Sequence, residues 1–237
     1  MDTVVIIPAY NEERDIARVV HGVRAAVPDL PVVVVDDGSR DGTAAAARGA
    51  GATVLSHPFN LHYGTALCTG YRYALAGGCT RLVQVDADGQ HDPASIRTVL
   101  EALDQGADLV LGSRFLDPGS YTPPAVRRMG IGIMSLAATC VVGRRITDAA
   151  TGFQGLSRRL LRFYTSGTHF PHDYPDANMI IRAARAGFRV VEVPVRMHAA
   201  ERGGGMHVGI EPLWYVFKMA LAISVEASRR VPAGEDG

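Results

Sequence analysis

The sequence predicts an α/β fold: a Rossmann-like, doubly wound and mostly parallel sheet with helices on both faces. Three observations predict it. Val4-Val5-Ile6-Ile7 and Val32-Val33-Val34-Val35 are unbroken β-branched runs, the pattern of strands buried on both faces of a parallel sheet. Strand-like runs alternate with stretches of helical period along the first half of the chain. Each early run also ends in polar residues, where an open α/β sheet keeps its ligand crevice.

The first run, from Val4, meets Pro8, and residues 11–27 then place Ile16, Val19, Val20 and Val23 at helical spacing before Pro28 stops the helix. The second run completes a β-α-β unit. Residues 41–50 are Ala-rich and end at Gly49 and Gly51, which predicts a second helix, and residues 53–55 read as a third strand. A helix over 64–76, a strand over 81–85, a helix over 93–103 and a strand over 108–111 continue the alternation. After Arg114 the pattern changes to a Pro/Gly/Ser loop over 117–124 and a weakly amphipathic helix over 126–142. Residues 153–156 read as a strand, 178–186 as a helix, 189–195 as a strand closed by Pro194, and 212–229 as a helix after the Gly203-Gly204-Gly205 loop. One domain is expected over 1–230, changing character near residue 115, with 231–237 as a disordered tail.

Composition narrows the function classes. Lys plus Arg and Asp plus Glu number 24 each in the 237 residues, so net charge recruits the chain neither to nucleic acid nor to an acidic bilayer. Cys68, Cys79 and Cys140 are odd in number and unclustered, which suits a reducing compartment. The first residues lack the basic and apolar blocks of a signal peptide, so the cytoplasm is expected, with room for peripheral attachment at the inner face of the membrane. The longest uncharged stretch, 129–143, falls short of the roughly 20 apolar residues of a spanning helix, and none is predicted.

The strand ends carry the chemistry. The first delivers Pro8-Ala9-Tyr10-Asn11-Glu12, the second Asp36-Asp37-Gly38-Ser39, the fourth Asp86-Ala87-Asp88-Gly89-Gln90 and the fifth Gly112-Ser113-Arg114, so carboxylates from three strands converge on one edge. Asp86 and Asp88, one residue apart, suit a hard divalent cation that leaves room for phosphate oxygens, with the Gln90 carbonyl as a further ligand. Taken alone, the pair reads equally as turn formers ahead of Pro93. Asp36 and Asp37 stand where strand-end carboxylates accept from a base or ribose, while Asp41 and Gly42 read as structural residues at a helix start. Neither a G-x-G-x-x-G run nor a Walker pattern is present, so a cation replaces a phosphate-cradling loop.

Pro8-Ala9-Tyr10-Asn11-Glu12, Asp36-Asp37-Gly38-Ser39 with Asp41-Gly42-Thr43, Asn60 with Gly64-Thr65-Ala66, Asp86-Ala87-Asp88-Gly89-Gln90-His91, Gly112-Ser113-Arg114 and Thr151-Gly152-Phe153 together resemble family-two glycosyltransferases of the GT-A fold. The nearest likeness is to the branch of polyprenyl-phosphate and dolichyl-phosphate mannose synthases, over about residues 3–218. The resemblance implies a nucleotide-sugar half over about 1–115 and an acceptor half over about 116–230. It implies that Pro8, Ala9, Tyr10 and Glu12, with Asp36 or Asp37, hold the nucleoside, that Asp86 and Ala87 continue that surface, and that Asp88 and Gln90, beside Asp86, bind Mg2+ or Mn2+. The resemblance further implies that Arg114 faces the phosphates of donor or acceptor, that Arg128 grips a lipid phosphate, and that Arg202 belongs to a loop that closes over the donor. The chain departs from that branch at Gly132, where a serine is usual one turn past the arginine, and at His207, where a basic residue is usual.

The family transfers with inversion, which needs one displacement and at most one base. Asp148 is the candidate to orient or deprotonate the acceptor, with Asp173 and Asp176 behind it. The partners expected are a nucleoside-diphosphate sugar, UDP- or GDP-linked, and either a polyprenyl phosphate or a soluble small-molecule acceptor. A nucleotide-sugar-binding protein without transfer is the reading from another class, and the Asp86/Asp88/Gln90 set argues against it. Leu213, Val216, Phe217, Ala220, Leu221 and Val225 form an apolar stripe for the core or a bilayer, while the 126–142 helix, led by Arg127 and Arg128, is the better candidate for meeting a lipid phosphate.

Overall fold

The computed structural model describes residues 2–166, 170 and 177–199. Among them, seven strands form one sheet: β1 (Thr3–Ala9), β2 (Val32–Asp36), β3 (Thr53–Ser56), β4 (Arg81–Gln84), β5 (Leu109–Ser113), β6 (Gln154–Ser157) and β7 (Val190–Pro194), in the order β3-β2-β1-β4-β6-β5-β7. β6 runs antiparallel to both β4 and β5, and every other pairing is parallel. The helices are α1 (Ile16–Ala26), α2 (Thr43–Gly49), α3 (Tyr63–Ala76), α4 (Ile96–Asp104) behind a 3-10 turn at Pro93–Ser95, α5 (Ala125–Val142), α6 (Arg158–Thr165) and α7 (Ala177–Arg185).

Strand alternation splits the core in two. Val4, Ile6, Val33 and Val35 face a layer built from α3, α5, α6 and α7, whereas Val5, Ile7, Val32 and Val34 face α1, α2 and α4. Every residue of β1 and β2 is buried, which explains their unbroken apolar runs. β6 departs from the simple alternation, entering between two parallel strands in the reverse direction. Gly155 lets α4 pack close on this strand, since a Cβ there would stand 2.5 Å from Val99 Cγ1 of that helix.

Two elements differ from expectation. α1 starts at Ile16, because the residues before it belong to a loop fastened to its neighbour. α6 follows β6 directly and had no predicted counterpart. Ser157 caps it by accepting from the Leu160 amide at 3.2 Å, and Leu160, Leu161, Phe163 and Tyr164 are buried. α5 has the length and composition of a membrane-crossing helix, which the sequence does not predict. Its inner face, Gly130, Ile131, Met134, Ser135 and Ala138, is buried, and α7 lies against it. The opposite face is a different matter: Val126, Met129, Ile133 and Leu136 are exposed at spacings of three and four, with Cys140 exposed one turn on. The predicted 212–229 helix lies outside the described residues.

Candidate active site

From β1 the chain winds outward to β2 and β3, then returns to β4 on the other side. Strand order therefore reverses between the carboxyl ends of β1 and β4, where an open sheet forms its crevice. β1 brings buried Pro8 and Ala9 there, followed by exposed Tyr10 and half-buried Glu12. The loop carrying them is stitched to the one after β2. The Asn11 amide donates to Ser39 Oγ (3.0 Å), the Glu12 amide to Thr43 Oγ1 (2.8 Å) and the Glu13 amide to Asp41 Oδ2 (3.2 Å), while Asn11 Oδ1 accepts from the Arg40 amide (2.9 Å). Asp41 is thereby a structural residue.

Asp36 and Asp37 are both buried. Asp36 Oδ1 accepts from the Ser39 amide at 3.2 Å. Asp37 Oδ1 lies 2.7 Å from His57 Nδ1 and accepts from the Leu61 amide at 2.9 Å, and His57 Nε2 lies 2.9 Å from Thr69 Oγ1. Asp37 thus anchors the segment leading into α3. The next residue, exposed His62, sits at φ 70°, ψ 155°, a region that glycine alone adopts without strain. Its amide donates to Asn60 Oδ1 at 3.0 Å, and Tyr63 follows with its hydroxyl donating to Asp86 Oδ1 at 3.0 Å. Residues 61–63 therefore span the crevice from Asp37 to Asp86.

Asp86, Ala87 and Asp88 follow β4. Asp86 rests on Gly152, where a Cβ would stand 2.0 Å from Asp86 Oδ2, so the Thr151-Gly152-Phe153 turn needs glycine to admit the carboxylate. The Asp86 amide donates to His91 Nδ1 at 3.2 Å, and His91 Nε2 lies 3.8 Å from Asp86 Oδ2. Burial, with the Arg114 charge adding to it, pushes the His91 pKa down to about 4. The imidazole stacks on Phe153 at 5.0 Å. Burial raises Asp86, against Tyr63, Arg114 and Arg127; burial and the neighbouring Asp86 raise Asp88. Burial, then the charges of Asp88, Asp15, Asp41 and Asp86, raise Glu12 to about 7. The mouth thus gathers three carboxylates whose charged forms burial disfavours.

Hard carboxylate oxygens gathered at one crevice fit Mg2+ or Mn2+. Among the described residues no three His, Cys, Asp or Glu side chains stand together as a cage. An ion held by one or two carboxylates, with phosphate oxygens and water completing its shell, matches the usual habit of Mg2+. Asp88 Oδ1 accepts from the Gln90 amide at 2.9 Å. The Gln90 side chain donates through Nε2 to the His198 carbonyl at 3.3 Å, which leaves Oε1 as the atom that could ligate a cation. The segment after β7 closes this edge, His198 donating its amide to the Gln90 carbonyl at 2.7 Å.

The other side is built differently. Arg114 Nε donates to Asp148 Oδ2 at 2.6 Å and Nη2 to Oδ1 at 3.4 Å, the backbone amide of Arg114 also faces Oδ2, and both side chains are buried. Asp148 is therefore not placed to act as a base. Both its oxygens are committed to Arg114, and none of its surface is exposed. Glu192 on β7 secures the same loop, accepting from the Thr147 and Asp148 amides at 2.9 Å, and Thr147 Oγ1 lies 2.6 Å from Ser113 Oγ. Arg127 and Arg128 are exposed in the first turn of α5, and it is Arg127 whose charge reaches Asp86 and Asp88. Arg202, His207, Asp173 and Asp176 lie outside the described residues. Tyr63, Gln84 and Glu192 emerge as site residues from the structure alone, whereas His91 beside Gln90, Gly152 in the Thr151-Gly152-Phe153 run and Arg127 at the head of the 126–142 helix carried a signal in the sequence.

Comparison with known proteins bears on the family and the fold. The profile of a family described as "Glycosyl transferase family 2" matches residues 4–165. Polyprenol monophosphomannose synthase of Mycolicibacterium smegmatis is 33% identical, the match covering 92% of this chain and 85% of that protein. Undecaprenyl-phosphate mannosyltransferase of Micrococcus luteus is 35% identical over 86% of each. Among solved structures, glucosyl-3-phosphoglycerate synthase from Mycobacterium tuberculosis in complex with phosphoglyceric acid superposes with a TM-score of 0.68 at 20% identity, covering 100% of this chain and 82% of that one. The same enzyme with Mn2+ and uridine-diphosphate-glucose gives 0.67 at 21% identity, covering 100% and 81%. At that identity the likeness is one of fold.

Proposed function

The chain belongs to glycosyl transferase family 2 and has its GT-A fold, and from that premise we propose that it transfers a hexose from a UDP- or GDP-linked sugar to a polyprenyl phosphate at a membrane surface, with inversion. The observation that carries the reading is the gathering of three carboxylates, Glu12, Asp86 and Asp88, at the switch point between β1 and β4. A bound divalent cation supplies charge neutralisation on the departing diphosphate. Pro8, Ala9, Tyr10 and Glu12, with Asp36 or Asp37, are assigned to the nucleoside side; Asp86 and Ala87 continue it, and Asp88 and Gln90, beside Asp86, would take the cation.

A phosphate acceptor arrives ionised, so its oxygen attacks the anomeric carbon without a base. The new C–O bond forms as the bond to the diphosphate breaks, and the nucleoside diphosphate leaves with the electron pair. This accounts for Asp148: it is a positioning residue that fixes Arg114, whose charge is assigned to the phosphates of donor or acceptor. The exposed stripe of α5, with Arg127 and Arg128 at its start and Arg144 and Arg145 just past its end, has the composition of a helix that lies on an anionic bilayer. Arg127 and Arg128 then meet the lipid phosphate where it leaves the headgroup plane. Arg202, in the glycine-rich segment that follows, is assigned to the donor.

Purified protein with Mn2+ and a panel of UDP- and GDP-sugars, with and without polyprenyl phosphate, tests the reading through nucleoside diphosphate release. Lipid-dependent release is the expected outcome. Release that needs only a soluble saccharide acceptor replaces the lipid by a small molecule, and nucleotide-sugar binding without any release leaves a binding protein. Sedimentation with anionic vesicles tests the α5 face separately, and Leu136→Glu should abolish it.

A further inference from the structure

Asp86 is held by a chain of hydrogen bonds whose every proton can be placed. Gln84 is buried on β4, and its Nε2 lies 3.0 Å from the Gly152 carbonyl and 3.0 Å from Tyr63 Oη. A carbonyl oxygen only accepts, so the amide nitrogen must face Gly152, and Oε1 must point the other way. There, Tyr71 Oη lies 2.6 Å from Oε1 and donates to it. Gln84 spends its two N–H groups on Gly152 and Tyr63. Tyr63, accepting from Gln84, turns its own proton toward Asp86 Oδ1 at 3.0 Å. The order Tyr71, Gln84, Tyr63, Asp86 is thus directional from the interior to the crevice. Tyr71 is wholly buried at the inner end, with Phe170 edge-on at 5.7 Å.

We propose that Tyr63 is a positioning residue for the donor site, its hydroxyl oriented by Gln84 and Tyr71 so that Asp86 presents a fixed carboxylate to the nucleoside-diphosphate portion of the donor. The inference rests on the donor reading given above. Three contacts fix the aspartate from different sides: Tyr63 donates to Oδ1, Gly152 leaves space beneath the carboxylate, and the Asp86 amide donates to His91. Of these, Tyr63 alone reaches Asp86 from another layer, coming from the first turn of α3. The relay therefore couples the start of α3, which Asp37 also anchors through Leu61, to the end of β4. An acceptor that cannot rotate loses less entropy on binding, which is where such a residue acts.

Tyr63→Phe removes one hydroxyl and leaves the ring. Its donor KM should rise about tenfold with kcat changed less than about twofold, the size of one lost hydrogen bond to a charged group. UDP and GDP binding by calorimetry, with and without Mn2+, should weaken by the same factor. Tyr71→Phe cuts the relay at its far end, where no ligand reaches. It should raise donor KM about threefold in the same direction, whatever it does to Tm. Unchanged KM and nucleotide affinity in Tyr63→Phe overturns the proposal. A Tyr71→Phe that lowers Tm yet leaves KM at the wild-type value shows that Tyr63 is not oriented through the relay and overturns that part. Failure of wild-type protein to bind any nucleotide or turn over any donor would instead defeat the donor reading itself.

Discussion

Carboxylates stand on both sides of the antiparallel strand β6, under different conditions. On the β1–β4 side, burial raises Glu12, Asp86 and Asp88, the Asp86 charge adds to Asp88, and the charges of both aspartates add to Glu12. On the β5–β7 side every comparable acid has a partner. Asp148 is clasped by Arg114, and Glu192 takes the amides of Thr147 and Asp148. Asp108 is raised by burial, but hydrogen bonds from Arg159, the Arg189 amide and Ser157 outweigh that and lower it. The same residue type serves two purposes. Acids held by cationic or amide partners fix the shape of the β5–β7 side. Those of the β1–β4 side have no arginine or lysine bonded to them among the contacts described above, which under the proposed function leaves them for a divalent cation and a diphosphate.

Substitutions should separate the two sides. The largest effect is expected from Asp148→Ala, which leaves the Arg114 guanidinium buried without its partner; a loss of about 3–5 kcal/mol in denaturant unfolding is the size for a broken buried pair. A loss under about 1 kcal/mol would mean that water replaces the carboxylate and that the contrast is overstated. Asp88→Ala should do the reverse, lowering donor turnover by about a hundredfold to a thousandfold while Tm holds or rises, because it relieves repulsion. Gly152→Ala comes next: its Cβ would stand 2.0 Å from Asp86 Oδ2, and displacement of the carboxylate should lower kcat/KM up to about a hundredfold.

The smallest effect is in pH. Glu12 has a folded pKa of about 7 against an ordinary 4.5, so the folded state binds more protons than the unfolded state between those values. Its contribution is therefore fully present below pH 4.5 and is lost as pH rises through 7. Without divalent cation, Glu12→Gln should flatten that part of a Tm series from pH 4.5 to 8 and raise Tm at its upper end. Identical slopes in variant and wild type would place Glu12 outside the repulsive cluster.

Much of the donor half was legible in the sequence for a local reason: β-branched runs mark buried strands, and the polar residues after them mark a crevice. Asp86, Asp88 and Gln90 lie within five residues, so spacing alone brought them together. The acceptor half resisted because its contacts are remote. Arg114 and Asp148 are 34 residues apart, and nothing between them signals a pair. Gln84 looked like an ordinary strand residue and Tyr63 stood just ahead of the predicted helix, and only the meeting of α3, β4 and the Gly152 turn joins them. β6 spans four residues, too few for sequence to encode its direction, and α6 spans eight, too few for a clear period beside a strand.

The backbone of His62 has a consequence in time. A non-glycine residue at φ 70° and ψ 155° stores about 1–3 kcal/mol of strain, kept in place by the Asp37 contact before it and the Asp86 contact after it. Opening of the segment would recover that energy and release both aspartates together. Amide hydrogens at Leu61 and His62 should consequently exchange with solvent far sooner than those of β1, and a bound nucleotide should slow them. The donor crevice is then the part of the sheet edge that breathes first, and the ligand is what quiets it.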